Sequence, residues 1–211
     1  MKTIKSTENR RPLTTRSMLW AMWLASICVK CNLSPNSISV LSIVPALAGA
    51  GLLVKQPTPF MLILVALCIQ LRLLANMLDG MVAIEGGKQS NVGILYNEIP
   101  DRLADSLFIV ALGYAINMPW LGWLGALLAA KTAYIRVLGG AIGLKQDYRG
   151  PLAKPHRMFV MTLGCLLAAC NFSFFGTQQI LLVTVYIIAI GAGITCITRT
   201  LAIAKQLKAQ P

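Results

Sequence analysis

Between residues 37 and 202 the chain runs through six largely apolar stretches, each long enough for a helix of about 20 residues to cross a bilayer. They fall at 37–54, 57–84, 90–116, 120–144, 155–175 and 178–202. Pro57, Glu85-Gly86-Gly87, Pro119, Gly150-Pro151 and Gly176 mark the breaks between them. Only 12% of the residues are charged and 56% are hydrophobic. Soluble domains carry about 25% charge, because they must cover themselves with polar groups. A chain with half that charge is expected to be an all-α integral membrane protein with about six transmembrane helices.

Ahead of the first stretch, 16–30 sets Trp20 and Trp23 among Leu19, Met22, Leu24 and Ile27, with basic residues at both ends. That pattern predicts an amphipathic interfacial helix lying along the membrane surface. Residues 1–12 are polar and basic, so no cleavable signal peptide is expected. The six cysteines fall mostly inside apolar segments, and Cys28–Cys31 has no second pair to complete a zinc site, so free thiols are expected.

Lys and Arg fix the orientation. Residues 1–36 hold six, Lys88 adds one, 145–157 holds four and the segment from Arg199 onward three, against Lys55 alone on the opposite side. Both termini are therefore expected in the cytoplasm. The net charge of +12 then belongs mostly to the cytoplasmic face, where it attracts anionic lipid headgroups and anionic substrates. No aromatic-basic module for nucleic acid is present.

Of seven acidic residues, five lie between 79 and 105: Asp79, Glu85, Glu98, Asp101 and Asp105. Ionisable groups at membrane depth are costly and mark function. Asn76 and Asp79 share one face of the second helix, with Ala83 a turn further. On the third, Gly93, Asn97, Asp101 and Asp105 recur every four residues as one polar stripe. The short Glu85-Gly86-Gly87 turn predicts that these helices are antiparallel neighbours whose polar faces meet. Gly80 and Gly93 leave room for a ligand or a backbone. Hard oxygen donors without His or Cys suit Mg²⁺ or Mn²⁺. On spacing alone, phosphate transfer on a lipid and an ion-coupled transporter both stay open.

The spacing resembles that of the CDP-alcohol phosphotransferases, whose second and third helices carry D-x2-D-G-x2-A-R-x8-G-x3-D-x3-D. Here it reads Asn76-x2-Asp79-Gly80-x2-Ala83-Ile84-x8-Gly93-x3-Asn97-x3-Asp101, with every interval kept. Residues 33–39, Leu-Ser-Pro-Asn-Ser-Ile-Ser, resemble the start of that family's first helix. Lys154-Pro155-His156-Arg157-Met158 resembles the basic entry to its fifth helix in phosphatidylinositol-phosphate synthases.

The resemblance implies transfer of a phosphatidyl or related group from a CDP-linked donor to an alcohol, with release of CMP. It further implies divalent metal held against the diphosphate by Asn76, Asp79, Asn97 and Asp101, and a donor cradle completed by Gly80, Ala83 and Gly93. Asp101 would take the acceptor's proton, and a homodimer is expected. Residues 37–202 would form the catalytic membrane domain, 1–36 a cytoplasmic basic segment and 203–211 a cytoplasmic tail.

Three positions depart from the motif. Asn76 and Asn97 keep a carbonyl oxygen but each loses a charge, and Ile84 replaces an arginine. Glu98 and Asp105 are the carboxylates placed to compensate as metal ligands, although Glu98 lies about 100° around the helix from Asn97. Arg72, one turn before Asn76, is the candidate to replace the charge missing at Ile84. Arg136, Lys154 and Arg157 are expected to clamp a phosphate on the acceptor, and Arg136, set among apolar neighbours, has an ion pair with one of these acids as its other reading. An inactive lipid- or nucleotide-binding relative is the alternative that the departures raise.

Overall fold

A computed structural model describes residues 18–55, 57–144, 146–170 and 176–209. The basic stretch through residue 17, Lys145 and the end of the predicted fifth span at 171–175 lie outside the described residues.

Among the described residues every regular element is a helix: α1 (Leu19–Lys30), α2 (Pro35–Leu41), α3 (Ile43–Val54), α4 (Pro59–Glu85), α5 (Gly93–Ala115), α6 (Pro119–Ala141), α7 (Lys154–Ala169) and α8 (Thr177–Lys208). Local chemistry sets several of the starts. Ser34 and Thr58 cap α2 and α4, accepting the N–H of Ser37 (3.0 Å) and of Met61 (3.3 Å). A proline follows in the first turn of each, where its missing N–H costs nothing. Pro119 opens α6 in the same way.

Four segments are long and apolar enough to cross a membrane: Pro35–Val54, which joins α2 to α3, and then α4, α6 and α8. The expected first span is thus broken at Ser42, whose hydroxyl turns back onto the Ser39 carbonyl (2.6 Å). With 23 residues α5 has the length, but it carries Glu98, Asp101, Arg102 and Asp105. At 16 residues α7 is shorter than the four. α5 and α7 stand at the places of the expected third and fifth spans. The last helix runs to Lys208 rather than stopping near 202; 32 residues span about 48 Å, more than a hydrocarbon core of about 30 Å needs.

The six segments close into a ring in the order α4, α3, α5, α6, α8, α7 and back to α4. This corrects the expectation that α4 and α5 are packed neighbours. Their connection is not a tight turn but residues 86–92, and α3 packs between them. They touch only sparsely along the backbone, so a gap remains that side chains fill. Around the ring, α5 and α6 meet closely where a Cβ on Gly113 would lie 2.6 Å from the Gly122 Cα. The interior is apolar, from Leu53 and Ile69 through Phe108 and Leu112 to Met161 and Ile188.

Large apolar side chains also face outward, among them Leu47, Phe60, Trp123, Ile190 and Ile197. Such a girdle is what lipid covers. Helix α1 packs on α4 through buried Ala21 and Ala25 while Trp20 and Trp23 stay exposed. All six cysteines are free.

Candidate functional site

The acids converge between the later part of α4 and the starts of α5 and α7. Asp79 on α4 is buried and accepts a short hydrogen bond (2.5 Å) from the Ser39 hydroxyl of α2. Asn76, three residues earlier and on the same face, donates its amide to the Asn97 side-chain oxygen on α5 (2.9 Å). The Asn76 oxygen accepts from the ammonium of Lys154 (2.8 Å), the first residue of α7. The same ammonium bonds Asp101. Arg72 of α4 donates to the Asp101 carboxylate (3.0 Å), and Arg102 lies 3.6 Å away. Two predicted faces from helices that barely touch are thus joined by hydrogen bonds and one lysine.

Deeper in the bundle, Asp105 lies 2.8 Å from Arg72 and 3.2 Å from Arg157. Arg72 is 0% exposed and Arg157 1%. Charges this deep persist only when paired. Buried Asp79, Asp101 and Asp105 therefore cluster with buried Arg72 and Arg157 and part-buried Lys154, with Arg102 at the edge beside Asp101.

A second charged group flanks the first on the α6 side. Arg136 donates to Glu98 (2.6 Å) and to Gln146 (2.9 Å), and lies over the Tyr148 ring at 5.3 Å. Glu98 also receives Arg102 (3.2 Å). In the loop ahead of α7, burial would raise the Asp147 carboxyl, but hydrogen bonds from the Arg149 side chain and backbone hold it below the usual carboxylate range. Gly150, at φ +125°, lets this loop pass tightly over Thr195 of α8. Arg199 fastens it by donating to the backbone carbonyls of Arg149 (2.8 Å) and Thr132 (2.6 Å).

The structure brings together Asn76, Asp79, Asn97, Asp101 and Lys154, all expected at the site. Gly80 and Ala83 stand half-buried on the same stretch of α4. A Cβ on Gly93 would meet nothing closer than the Ser90 hydroxyl at 3.4 Å, so that end of α5 keeps the expected room.

Four expectations are corrected. Glu98 is not grouped with Asp79 and Asp101; one step around the helix turns it onto Arg136 and Arg102. Asp105 sits a turn deeper, between two arginines. Arg157 is interior and donates to Asp105, the Leu152 carbonyl and Thr132. Arg72 does not replace a charge at Ile84, whose side chain is exposed; it serves Asp101 and Asp105.

Sequence reasoning missed Ser39 as a partner of Asp79, although it lies in the 33–39 stretch that carried the resemblance. It also missed Arg199, 42 positions beyond Arg157, for which periodicity offers no signal.

Among the described residues, no three His, Cys, Asp or Glu side chains group as a metal site. With asparagine oxygens included, Asp79, Asp101, Asn76 and Asn97 form an oxygen-only donor set. Asn76 and Asp101 already direct their oxygens at one cation, the Lys154 ammonium. A small hard ion such as Mg²⁺ or Mn²⁺ fits this chemistry.

No family model matches the chain. It is 26% identical over 141 residues to the inner membrane protein YnbA of Escherichia coli, covering 66% of this chain and 70% of that one. It is 26% identical over 180 residues to the phosphatidylinositol phosphate synthase of Mycobacterium marinum, covering 82% and 74%. The fold matches the crystal structure of the Mycobacterium tuberculosis phosphatidylinositol phosphate synthase with CDP-DAG bound, with TM-score 0.74 and 22% identity over 87% of this chain and 92% of that one. The same synthase in complex with manganese and citrate gives TM-score 0.75 at 22% identity, covering 87% and 88%.

Proposed function

We propose that this chain is a CDP-alcohol phosphotransferase and that it transfers a phosphatidyl group from CDP-diacylglycerol to the hydroxyl of a small alcohol, releasing CMP, in phospholipid biosynthesis. The observation that carries the reading is the oxygen cluster of Asn76, Asp79, Asn97 and Asp101, spaced as the family motif requires and drawn together across α4 and α5. The named relatives that bind CDP-DAG or manganese support it. The chain sits in the inner membrane, as its relative YnbA is named. Its site and termini face the cytoplasm, which the lysine and arginine count favours, and it works as a homodimer, which the family resemblance implies.

In this reaction the acceptor oxygen bonds to the phosphatidyl phosphorus as the bond from that phosphorus to the CMP oxygen breaks. Asp101 accepts the proton of the acceptor hydroxyl. Asp79, Asp101, Asn76 and Asn97 would hold Mg²⁺ or Mn²⁺, which neutralises diphosphate charge and stabilises the leaving phosphate. Ser39 fixes the Asp79 carboxylate, and Arg72 fixes Asp101 from behind.

The acceptor is a phosphorylated alcohol. Arg72, Arg102, Arg136, Arg149, Lys154, Arg157 and Arg199 face five acids, Asp79, Glu98, Asp101, Asp105 and Asp147. Seven minus five leaves two positive charges around the site, the complement of a phosphate monoester. The Arg102 Nε is also buried without a hydrogen-bond partner among the described residues.

Purified chain in micelles with CDP-diacylglycerol and Mn²⁺ should convert sugar phosphates or glycerol phosphate into new phospholipid, read by mass spectrometry. Neutral alcohols should serve poorly. A neutral alcohol giving the faster conversion overturns the assignment of the acceptor.

A further inference from the structure

The outer face of the bundle carries one charge that the acid cluster does not use. Lys131 lies midway along α6 and is exposed. Arg72, Arg102, Arg136, Lys154, Arg157 and Arg199 each hold a hydrogen bond or an ion pair. Lys131 holds neither among the described residues. Its own helix and α8, its neighbour, contain no Asp or Glu, so neither can supply a partner. An unpaired charge within a membrane segment is costly and marks a ligand or a pathway.

Lys131 opens onto a cleft of about 460 Å³ between α6 and α8, walled by Leu128, Ile135, Ile197 and Leu201. Gly193 makes the room: a Cβ there would meet only the Leu128 Cδ1, at 3.9 Å. Arg199 fixes the depth. It bonds the carbonyl of Thr132, next to Lys131, and that of Arg149 in the loop ahead of α7 (2.6 and 2.8 Å). Lys131 therefore stands at the level of that polar loop and not at the apolar centre of the bilayer. On α8, Ile197, Leu201, Lys205 and Lys208 recur on one face. The apolar wall of the cleft thus continues into two exposed lysines.

We infer that this cleft binds an anionic phospholipid of the surrounding membrane. An acyl chain covers Leu128, Ile135, Ile197 and Leu201, and the lipid phosphate pairs with Lys131. Lys205 and Lys208 draw the negative headgroup to the mouth of the cleft. Charge complementarity selects this occupant. A zwitterionic lipid brings its own cation to three lysines that have no acid. Free phosphate would leave the apolar wall uncovered. A second copy seated through the same two helices would set lysines against lysines. The site lies outside the acid cluster and does not depend on its chemistry.

The test titrates the full chain in neutral micelles with phosphatidylglycerol or phosphatidylcholine of matched acyl chains, and counts retained lipid by native mass spectrometry. Wild type should retain phosphatidylglycerol roughly tenfold or more tightly, the worth of a charge-assisted hydrogen bond. Lys131→Gln should erase most of that preference with helical circular dichroism unchanged. Gly193→Leu, which fills the cleft without touching a charge, should weaken retention of both lipids. Lys205→Gln/Lys208→Gln, at the exposed end of α8, should lower the preference in part, and serves should Gly193→Leu fail to fold. Equal retention of both lipids by wild type, or an undiminished preference in Lys131→Gln, overturns the inference. So does displacement of phosphatidylglycerol by inorganic phosphate at equal concentration. A dimer that dissociates in Lys131→Gln with retained lipid unchanged assigns the cleft to a second copy and overturns it as well.

Discussion

Asp101→Asn should abolish CMP release while the chain remains folded and membrane-inserted. Asparagine keeps the shape of the side chain and one carbonyl oxygen for Arg72, now 3.0 Å away, so packing changes little. What disappears is the only carboxylate in the donor set that touches both Lys154 and Arg72. Loss of a general base costs about 10²–10⁴-fold, and loss of a charged metal ligand adds to it. CMP release should therefore fall at least about a thousandfold, with helical circular dichroism and micelle elution unchanged. Activity within a few-fold of wild type would remove Asp101 from the chemistry. Ser39→Ala is the milder companion: it frees Asp79 from its 2.5 Å hydrogen bond but removes no charge.

Arg72→Met should instead destroy the fold. Arg72 is 0% exposed and lies 3.0 Å from Asp101 and 2.8 Å from Asp105. Without it, two buried carboxylates share Lys154 and Arg157. Breaking a buried ion pair from one side typically costs about 3–5 kcal/mol, because the remaining charge has no water to return to. The melting temperature in micelles should drop by many degrees, or the chain should fail to accumulate. Asp105→Asn in the same chain should recover part of that loss, since it removes the stranded charge. A melting temperature equal to that of wild type in Arg72→Met would show that water reaches this cluster and that the buried balance is wrong.

The membrane class and the acid cluster were legible in the sequence for a physical reason. Apolar runs and costly charges are local properties, visible wherever they occur. The four-residue stripe of Gly93, Asn97, Asp101 and Asp105 does face inward at Asp101 and Asp105. What the stripe cannot carry is which helix it will face. Connectivity argued for α4 against α5, yet α3 packs between them, because Ala46 and Ala50 on α3 and Ala104 and Ala111 on α5 are small enough for close approach.

The same limit explains Lys154. Its bond to Asn76 spans 78 positions, and no period or spacing encodes such a pair. Arg136 illustrates the converse, since its ion pair with Glu98 was one of the two readings its apolar neighbours allowed. Glu98 itself was misplaced by one residue of helical phase, and 100° separates a metal ligand from a salt-bridge partner.

Cleavage of a CDP-linked lipid with help from a divalent cation is the chemistry proposed for this site. The most direct measurement is CMP release by the purified chain from CDP-diacylglycerol, with a phosphorylated acceptor present, before and after removal of divalent cations by a chelator. CMP should form in step with new phospholipid, stop with the chelator and return with Mn²⁺ or Mg²⁺. A chain that binds CDP-diacylglycerol yet releases no CMP with any acceptor, or releases it equally well with the chelator present, would contradict it.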